Sequence, residues 1–292
     1  MDAVCIKGGW DVLLAKDGEG QLIGVLVYHI RKYRGFTFIL QPLMTAYNGI
    51  RIFYPASMKS HKKVAHEVKV TQALMDQLPP CSVYFQQYHP SFTNWLPFYW
   101  KGYKQSTRYT YLIDKSVGRE ALMQNLKGSL RRSLKKLEGT VEVRTHDYDS
   151  LWPMLVASFK ERQKAVPYNG TAVKRLFENF KGTGRLIARG CHDKASGRLL
   201  AGLVMARDKE RDYYLISFKM SEAPNGTVGH LLWETMLEID TRITDFEGSM
   251  LKEVEYFLRA FGGTMTPHYK IHKVHNPLLR LAIPLLKPDL LG

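Results

Sequence analysis

Apolar and polar positions alternate with period two over residues 10–15 and 21–30, and the stretch between them, Lys16-Asp17-Gly18-Glu19-Gly20, is turn-rich. This predicts two antiparallel strands, with a third over 36–40. The period then changes. Val64, Val68, Thr71 and Met75 form one stripe, which predicts a helix over 59–77. A short strand at 82–86, an aromatic-rich helix at 92–100 and a strand at 107–113 follow.

The second half opens with helical periodicity over 119–137, 148–164 and 171–180. Three strands come next, at 184–191, 199–207 and 212–220, joined by Ala195-Ser196-Gly197 and Asp208-Lys209-Glu210-Arg211. The loop 221–228 opens a helix over 229–243. A strand at 244–247, a helix at 250–261 and a last strand at 268–273 complete the pattern. Both halves therefore read as meander, Asn-Gly loop, helix, strand, helix and strand, with Asn48-Gly49 corresponding to Asn225-Gly226. The expectation is an α/β chain, α+β in type, made of two versions of one unit. The first spans 1–105, joined by the C-terminal segment 275–292, and the second spans 106–274.

Composition adds charge to this picture. The 292 residues carry a formal net charge of +15, which favours an anionic partner: RNA, a nucleotide-linked substrate, coenzyme phosphates or a membrane surface. Cys5, Cys81 and Cys191 stand alone, which suits a reducing compartment. The N-terminus lacks a secretory pattern and no apolar run is long enough to span a bilayer, so the expected location is cytoplasmic.

Familiar signatures are missing: there is no GxxxxGK[ST], GxGxxG or GxSxG. His66-Glu67 begins like a zinc-protease helix, but Val70 stands where the second ligand belongs. His268, His272 and His275 fall on strand and loop, where helical ligand spacing does not converge, so no metal is expected.

The second half holds the more suggestive chemistry. The stretch 224–229 brings free N–H groups to a helix start, fit either for an anion or for an ordinary capped loop. In Asp245-Phe246-Glu247-Gly248-Ser249, strand alternation puts both carboxylates on one face, and Gly248 allows a sharp turn. Either carboxylate suits proton transfer; alternatively Asp245 pairs with an arginine and Ser249 caps the next helix. Arg259 lies before a helix end marked by Gly262 and complements a helix dipole or an anionic ligand. Tyr269 is either a packing residue or a proton donor. The basic run 127–136 is a solvated face or a nucleic-acid contact.

Together these residues resemble the Fem-type branch of the N-acyltransferase superfamily, the peptidoglycan cross-bridge aminoacyltransferases and their GNAT-fold relatives. The stretches that carry the likeness are Gln41 to Gly49, Leu126-Lys127-Gly128-Ser129-Leu130-Arg131-Arg132, Ser158-Phe159-Lys160-Glu161-Arg162, Asp245 to Ser249 and Phe261-Gly262-Gly263. The resemblance implies tandem acyltransferase units, with a donor groove in the second where two strands splay apart. It implies acyl-CoA or aminoacyl-tRNA as donor and amide formation on an amine, with a cell-wall or nucleotide-linked substrate. Donor contacts are expected from Asn225, Gly226, Thr227, Gly229, Arg259 and Lys270. Glu247, Asp245 and Tyr269 are the catalytic candidates, and Gln41, Tyr47, Arg162 and Tyr168 are expected on the acceptor side, in a cleft between the units. The chain has Ala223-Pro224-Asn225-Gly226-Thr227-Val228-Gly229 in place of the coenzyme-A loop [QR]xxGx[GA], and no heptad insertion. The rival expectation is a non-catalytic acyltransferase fold that binds tRNA or an anionic membrane, the latter through the leucines of 277–291.

Overall fold

The structure, a computed structural model, describes residues 1–56 and 58–286. The chain divides into two compact units, residues 1–108 with 267–292, and residues 109–266. Residues 267–274, assigned above to the second unit, group with the first in the structure, where Lys270–Val274 pair with a strand of that unit.

In the first unit, β1 (Gly9–Lys16) and β2 (Leu22–Tyr33) form the expected hairpin. The long β2 is shared on its other side. Its first half pairs with β4 (Gly49–Ile52) and its second half with β3 (Phe36–Leu40). After α1 (Ser60–Asp76), β5 (Val83–Gln87) lies parallel to β3 and antiparallel to the 270–274 strand. The short α2 (Leu96–Trp100) follows. Val70, Leu74, Tyr84, Tyr88 and Phe98 are fully buried between sheet and helices.

One expectation is corrected here. Gly49 begins a strand that was not expected, β4, between the Asn48-Gly49 loop and α1, which starts at Ser60 as expected. The order of elements in the two halves therefore differs at this point, because the long β2 recruits the residues after the loop as a ladder partner.

The second unit takes the end of β6 (Lys104–Asp114) and then α3 (Arg119–Asn125), α4 (Gly128–Leu137) and β7 (Val141–Thr145). Next are α5 (Tyr148–Glu161), α6 (Gly170–Phe180), and the meander β8 (Leu186–Asp193), β9 (Leu199–Arg207) and β10 (Arg211–Lys219). It closes with α7 (Thr227–Glu238), β11 (Ile243–Asp245) and α8 (Lys252–Arg259), before β12 (Thr264–Val274) returns the chain to the first unit. Within this unit the strand order is β6-β11-β10-β9-β8-β7. Trp233, Phe246, Phe261 and Leu231 anchor the core.

The helix expected over 119–137 is two helices. Leu126 and Lys127 are extended, and the Lys127 amide donates to the Ala260 carbonyl at 2.8 Å. Gly262 has a left-handed backbone (φ 72°), and a side chain there would meet the Asn125 carbonyl oxygen at 2.4 Å. So the break at Leu126 and the turn at Gly262 are two sides of one contact. In α4, Leu130, Leu134 and Leu137 are buried, whereas Arg132, Lys135 and Lys136 are exposed. That is the solvated face.

Helix α9 (Pro277–Leu286) packs Leu279 and Ile283 against Val83 and Val274 of its own unit, leaving Leu278 and Leu281 exposed. The Leu285 and Leu286 side chains and residues 287–292 lie outside the described residues. Among the described residues, no helix is long and apolar enough to cross a membrane.

Candidate active site

Strand β10 is the axis of the site. Only Arg211, Asp212 and Tyr213 pair with β11, which ends at Asp245, so the rest of β10 leaves its neighbour. On the other side β10 stays laddered to β9, with a bulge at Leu215. The Met220 amide bonds to the Leu200 carbonyl, and ladder alternation then turns Ile216 and Phe218 toward β9. The amides of Ser217 and Lys219 face the open edge.

At one end of that edge lies a cavity of about 370 Å³ lined by Lys127, Ser133, Lys219, Gly226, Gly229 and Tyr256, among others. It opens on the first turn of α7. The Val228 and Gly229 amides have no backbone acceptor, as expected at a helix start. Gly226 is left-handed (φ 92°), and a side chain on it would strike Ser133 Cβ at 2.5 Å. Helix α4 therefore comes close to the loop only because residue 226 is glycine. Lys219 Nζ donates to the Ala223 carbonyl at 3.2 Å, and Lys127 Nζ lies 3.9 Å from the Tyr256 ring centre and bonds its hydroxyl. That bond and the lysine charge hold the Tyr256 hydroxyl below the usual phenol range. Two cations and a helix N-terminus converge on one concave surface.

Further back on the same open edge stands Glu247. It is half-buried, and β11 has already ended, so it does not share a strand face with Asp245 as expected; its φ is +55° and that of Gly248 is +68°. Asp245 imposes this turn. Fully buried, it accepts from the Glu247 amide at 2.9 Å, from Thr110 Oγ1 at 2.7 Å and from Arg211 at 3.3 Å. A side chain at 248 would meet the Tyr109 carbonyl oxygen at 1.8 Å. Burial, and then the nearby Asp245 carboxylate, push the Glu247 carboxyl well above the usual range. Tyr168 lies beside it. Burial raises the Tyr168 hydroxyl, its bond with the Ser217 backbone lowers it and the Glu247 charge raises it again.

The structure thus brings Gly226 and Gly229 to one cavity, and Glu247, Asp245 and Tyr168 to one cluster. Asn225, Thr227 and Arg259 do not line the cavity. Thr227 is buried and donates to Pro224 O at 2.7 Å, and exposed Arg259 pairs with Glu255 at 3.3 Å. Arg162 is held at the end of α5 by the Ser158 carbonyl at 2.9 Å and lies over Phe159. The other candidates belong to the first unit. Gln41 bonds Thr45 O and the Gln87 amide, both at 2.8 Å, so its amide braces its own loop. Tyr47 packs edge-on to His89 and His268. Tyr269 is half-buried against the core, and Lys270 is fully buried with Nζ 5.4 Å from the Phe85 ring centre. Lys127, Lys219, Tyr256 and Arg211 were not singled out from sequence; Lys127 alone had a signal, in the stretch 126–132. Among the described residues no cluster of three or more His, Cys, Asp or Glu is placed to hold a metal ion.

No family model and no curated protein matches the sequence. Solved structures do match the fold. FemX superposes with a TM-score of 0.62 at 13% identity, covering 94% of this chain and 90% of its own. L-PGS from Bacillus licheniformis gives 0.53 at 10%, covering 96% and 89%. A tandem GNAT protein from the clavulanic acid biosynthesis pathway gives 0.51 at 11%, covering 90% and 82%. These likenesses show the fold: this chain shares that of FemX and of the tandem GNAT protein.

Proposed function

We propose that the chain is an acyl- or aminoacyl-transferase that forms an amide on an amine acceptor. The observation that carries this reading is the open edge of β10, which runs from a cationic cavity at a helix N-terminus to a buried carboxyl. A donor bearing phosphate, acyl-CoA or aminoacyl-tRNA, places its phosphate against the Val228 and Gly229 amides, Lys127 and Lys219. Its acyl chain lies along β10, where the Lys219 N–H of the open edge is available to the carbonyl oxygen.

Glu247 then removes a proton from the acceptor ammonium. The amine nitrogen bonds the acyl carbon, the C–S bond of a thioester or the C–O bond of an ester breaks, and the thiol or hydroxyl leaves with a proton. A carboxyl raised above its ordinary range is the stronger base for this exchange. Tyr168 stands next to it and orients the acceptor. Asp245 stays paired to Arg211 and Thr110 and acts by positioning Glu247.

The test is Glu247→Gln, assayed with a donor identified by binding. Turnover is expected to fall roughly 10²- to 10⁴-fold with donor affinity kept. Wild-type turnover in this variant removes Glu247 as the base.

A further inference from the structure

Two histidines of the second unit lie apart from every residue used above. His146 joins β7 to α5, and His192 is on β8, directly across from Glu142. Their Nε2 atoms are 2.9 Å apart. The ring centres are 5.2 Å apart, with planes within 9° of each other. That separation equals the nitrogen gap plus the two ring radii. The rings therefore lie edge to edge in one plane, nitrogen facing nitrogen.

The remaining hydrogens can be assigned by their partners. His192 Nδ1 is 3.0 Å from the Gly197 carbonyl oxygen, which only accepts, so Nδ1 carries hydrogen. His146 Nδ1 is 3.1 Å from Ser150 Oγ. That hydroxyl gives its hydrogen to the Asp147 carboxylate at 2.6 Å and accepts the Asp147 amide at 3.2 Å. The Ser150 bonds keep Asp147 ionised, its carboxyl held below the usual range. Ser150 is left only an acceptor to offer, so His146 Nδ1 carries hydrogen too. In a neutral pair, both Nε2 lone pairs would face each other across 2.9 Å, which is repulsive. One added proton turns that repulsion into a linear charge-assisted hydrogen bond.

We infer that His146 and His192 bind a single proton between their Nε2 atoms, and that this proton ties the β7–α5 junction to β8. The seat is built for it. A side chain at Gly190 would lie 2.6 Å from His146 Nε2 and 2.6 Å from Leu199 Cδ1. The charged groups around the pair are Glu142 and Arg144 on β7, bonded to each other, Asp147 at the start of α5, and Asp149, Lys174, Glu178 and Lys181, which line a cavity together with His146. On β8, Arg189 is held by Thr145 and Glu238, while Asp193 is bonded into the following turn; Arg198 beyond it pairs with Glu222. A second proton is opposed, since burial and the His192 charge lower the His146 titration.

The sign follows for the second proton. Burial, and then the His192 charge, hold His146 below the ordinary imidazole range, so as pH falls the unfolded chain takes up a proton that the folded pair refuses, and stability declines toward low pH.

Nitrogen-15 spectra of the histidine rings, assigned in the wild-type chain, provide the test. Near pH 6.5 both Nδ1 atoms should be protonated, with one downfield proton shared by the two Nε2 atoms. Ser150→Ala, which frees His146 Nδ1 to lose its hydrogen, should abolish the shared signal. Thermal unfolding from pH 5 to 9 should show a loss of stability toward low pH that His192→Gln reduces. A neutral pair with one ring in the Nε2–H form, or a wild-type-minus-variant difference that is flat with pH, overturns the inference.

Discussion

The two units treat matching strand ends in opposite ways. In the first, β5 and the residue after it read Tyr84-Phe85-Gln86-Gln87-Tyr88; the Tyr84 hydroxyl donates to Gln86 Oε1 at 2.6 Å and lies 2.5 Å from the Tyr88 hydroxyl. Gln86 Nε2 donates to the Val27 carbonyl, and Phe92 and Phe98 close the cluster. Burial raises both tyrosines far above the phenol range, so they stay neutral. In the second, β11 ends at Asp245 and is followed by Phe246 and Glu247, with a left-handed doublet at Glu247-Gly248. One end spends its polar groups on one another. The other holds one carboxylate in place so that a second is left poised. The lesson is that a strand end leaves a carboxyl unspent when its hydrogen bonds are arranged around one residue and not among all of them.

The strongest way to break the comparison is Asp245→Ala. It leaves Arg211 and Thr110 without their carboxylate, and the expected loss in chemical denaturation is about 3–5 kcal/mol. Next is Gly248→Ala. Left-handed strain alone costs about 1–3 kcal/mol, and overlap with the Tyr109 carbonyl adds to it, so a thermal midpoint well below wild type is expected. Unchanged stability would mean that the doublet is not fixed as described.

The pH dependence of Glu247→Gln sharpens the contrast. Below the ordinary carboxyl value of 4.5 the wild-type residue is protonated in both folded and unfolded chains. As pH rises past that value, the unfolded chain releases the proton while the folded one keeps it, so wild-type stability declines until the raised folded value is passed. The variant cannot ionise. It should match wild type near pH 4 and gain on it toward neutral pH, in paired denaturation curves. Tyr88→Phe should have the smallest effect, about 1 kcal/mol for one buried hydrogen bond, with turnover unchanged in the same assay that detects Glu247→Gln.

Much of the architecture was legible because its signals are local. The meanders are apolar β-type runs separated by Asp- and Gly-rich turns, and α4 shows a clean apolar stripe, whereas in α1 Val64 of the expected stripe is exposed. The misses have tertiary causes. Strand β4 has four residues, too few to show a period, and exists because β2 is long enough to take two partners. Strand β7 was passed over as a link between helices; Val141 and Val143 are all of its packed face. The break at Leu126 has one local mark, Gly128 at the start of α4, and is set by the Ala260 carbonyl. Within the site, the Asp-x-Glu-Gly spacing was readable, but the φ of Glu247 depends on a bond from its own amide to Asp245. Lys219 gave no signal, because its meaning comes from a neighbouring strand that stops short.

That stopping point also predicts a footprint. Along β10, Ile216 and Phe218 point their amides into the β9 ladder, whereas Ser217 and Lys219 point theirs away from it. Hydrogen–deuterium exchange should therefore alternate residue by residue along a single strand, slow at Ile216 and Phe218 and faster at Lys219, with Ser217 shielded only as far as Tyr168 stays on it. A donor seated along this edge would slow Lys219 selectively, giving a residue-resolved report of occupancy that needs no knowledge of the acceptor.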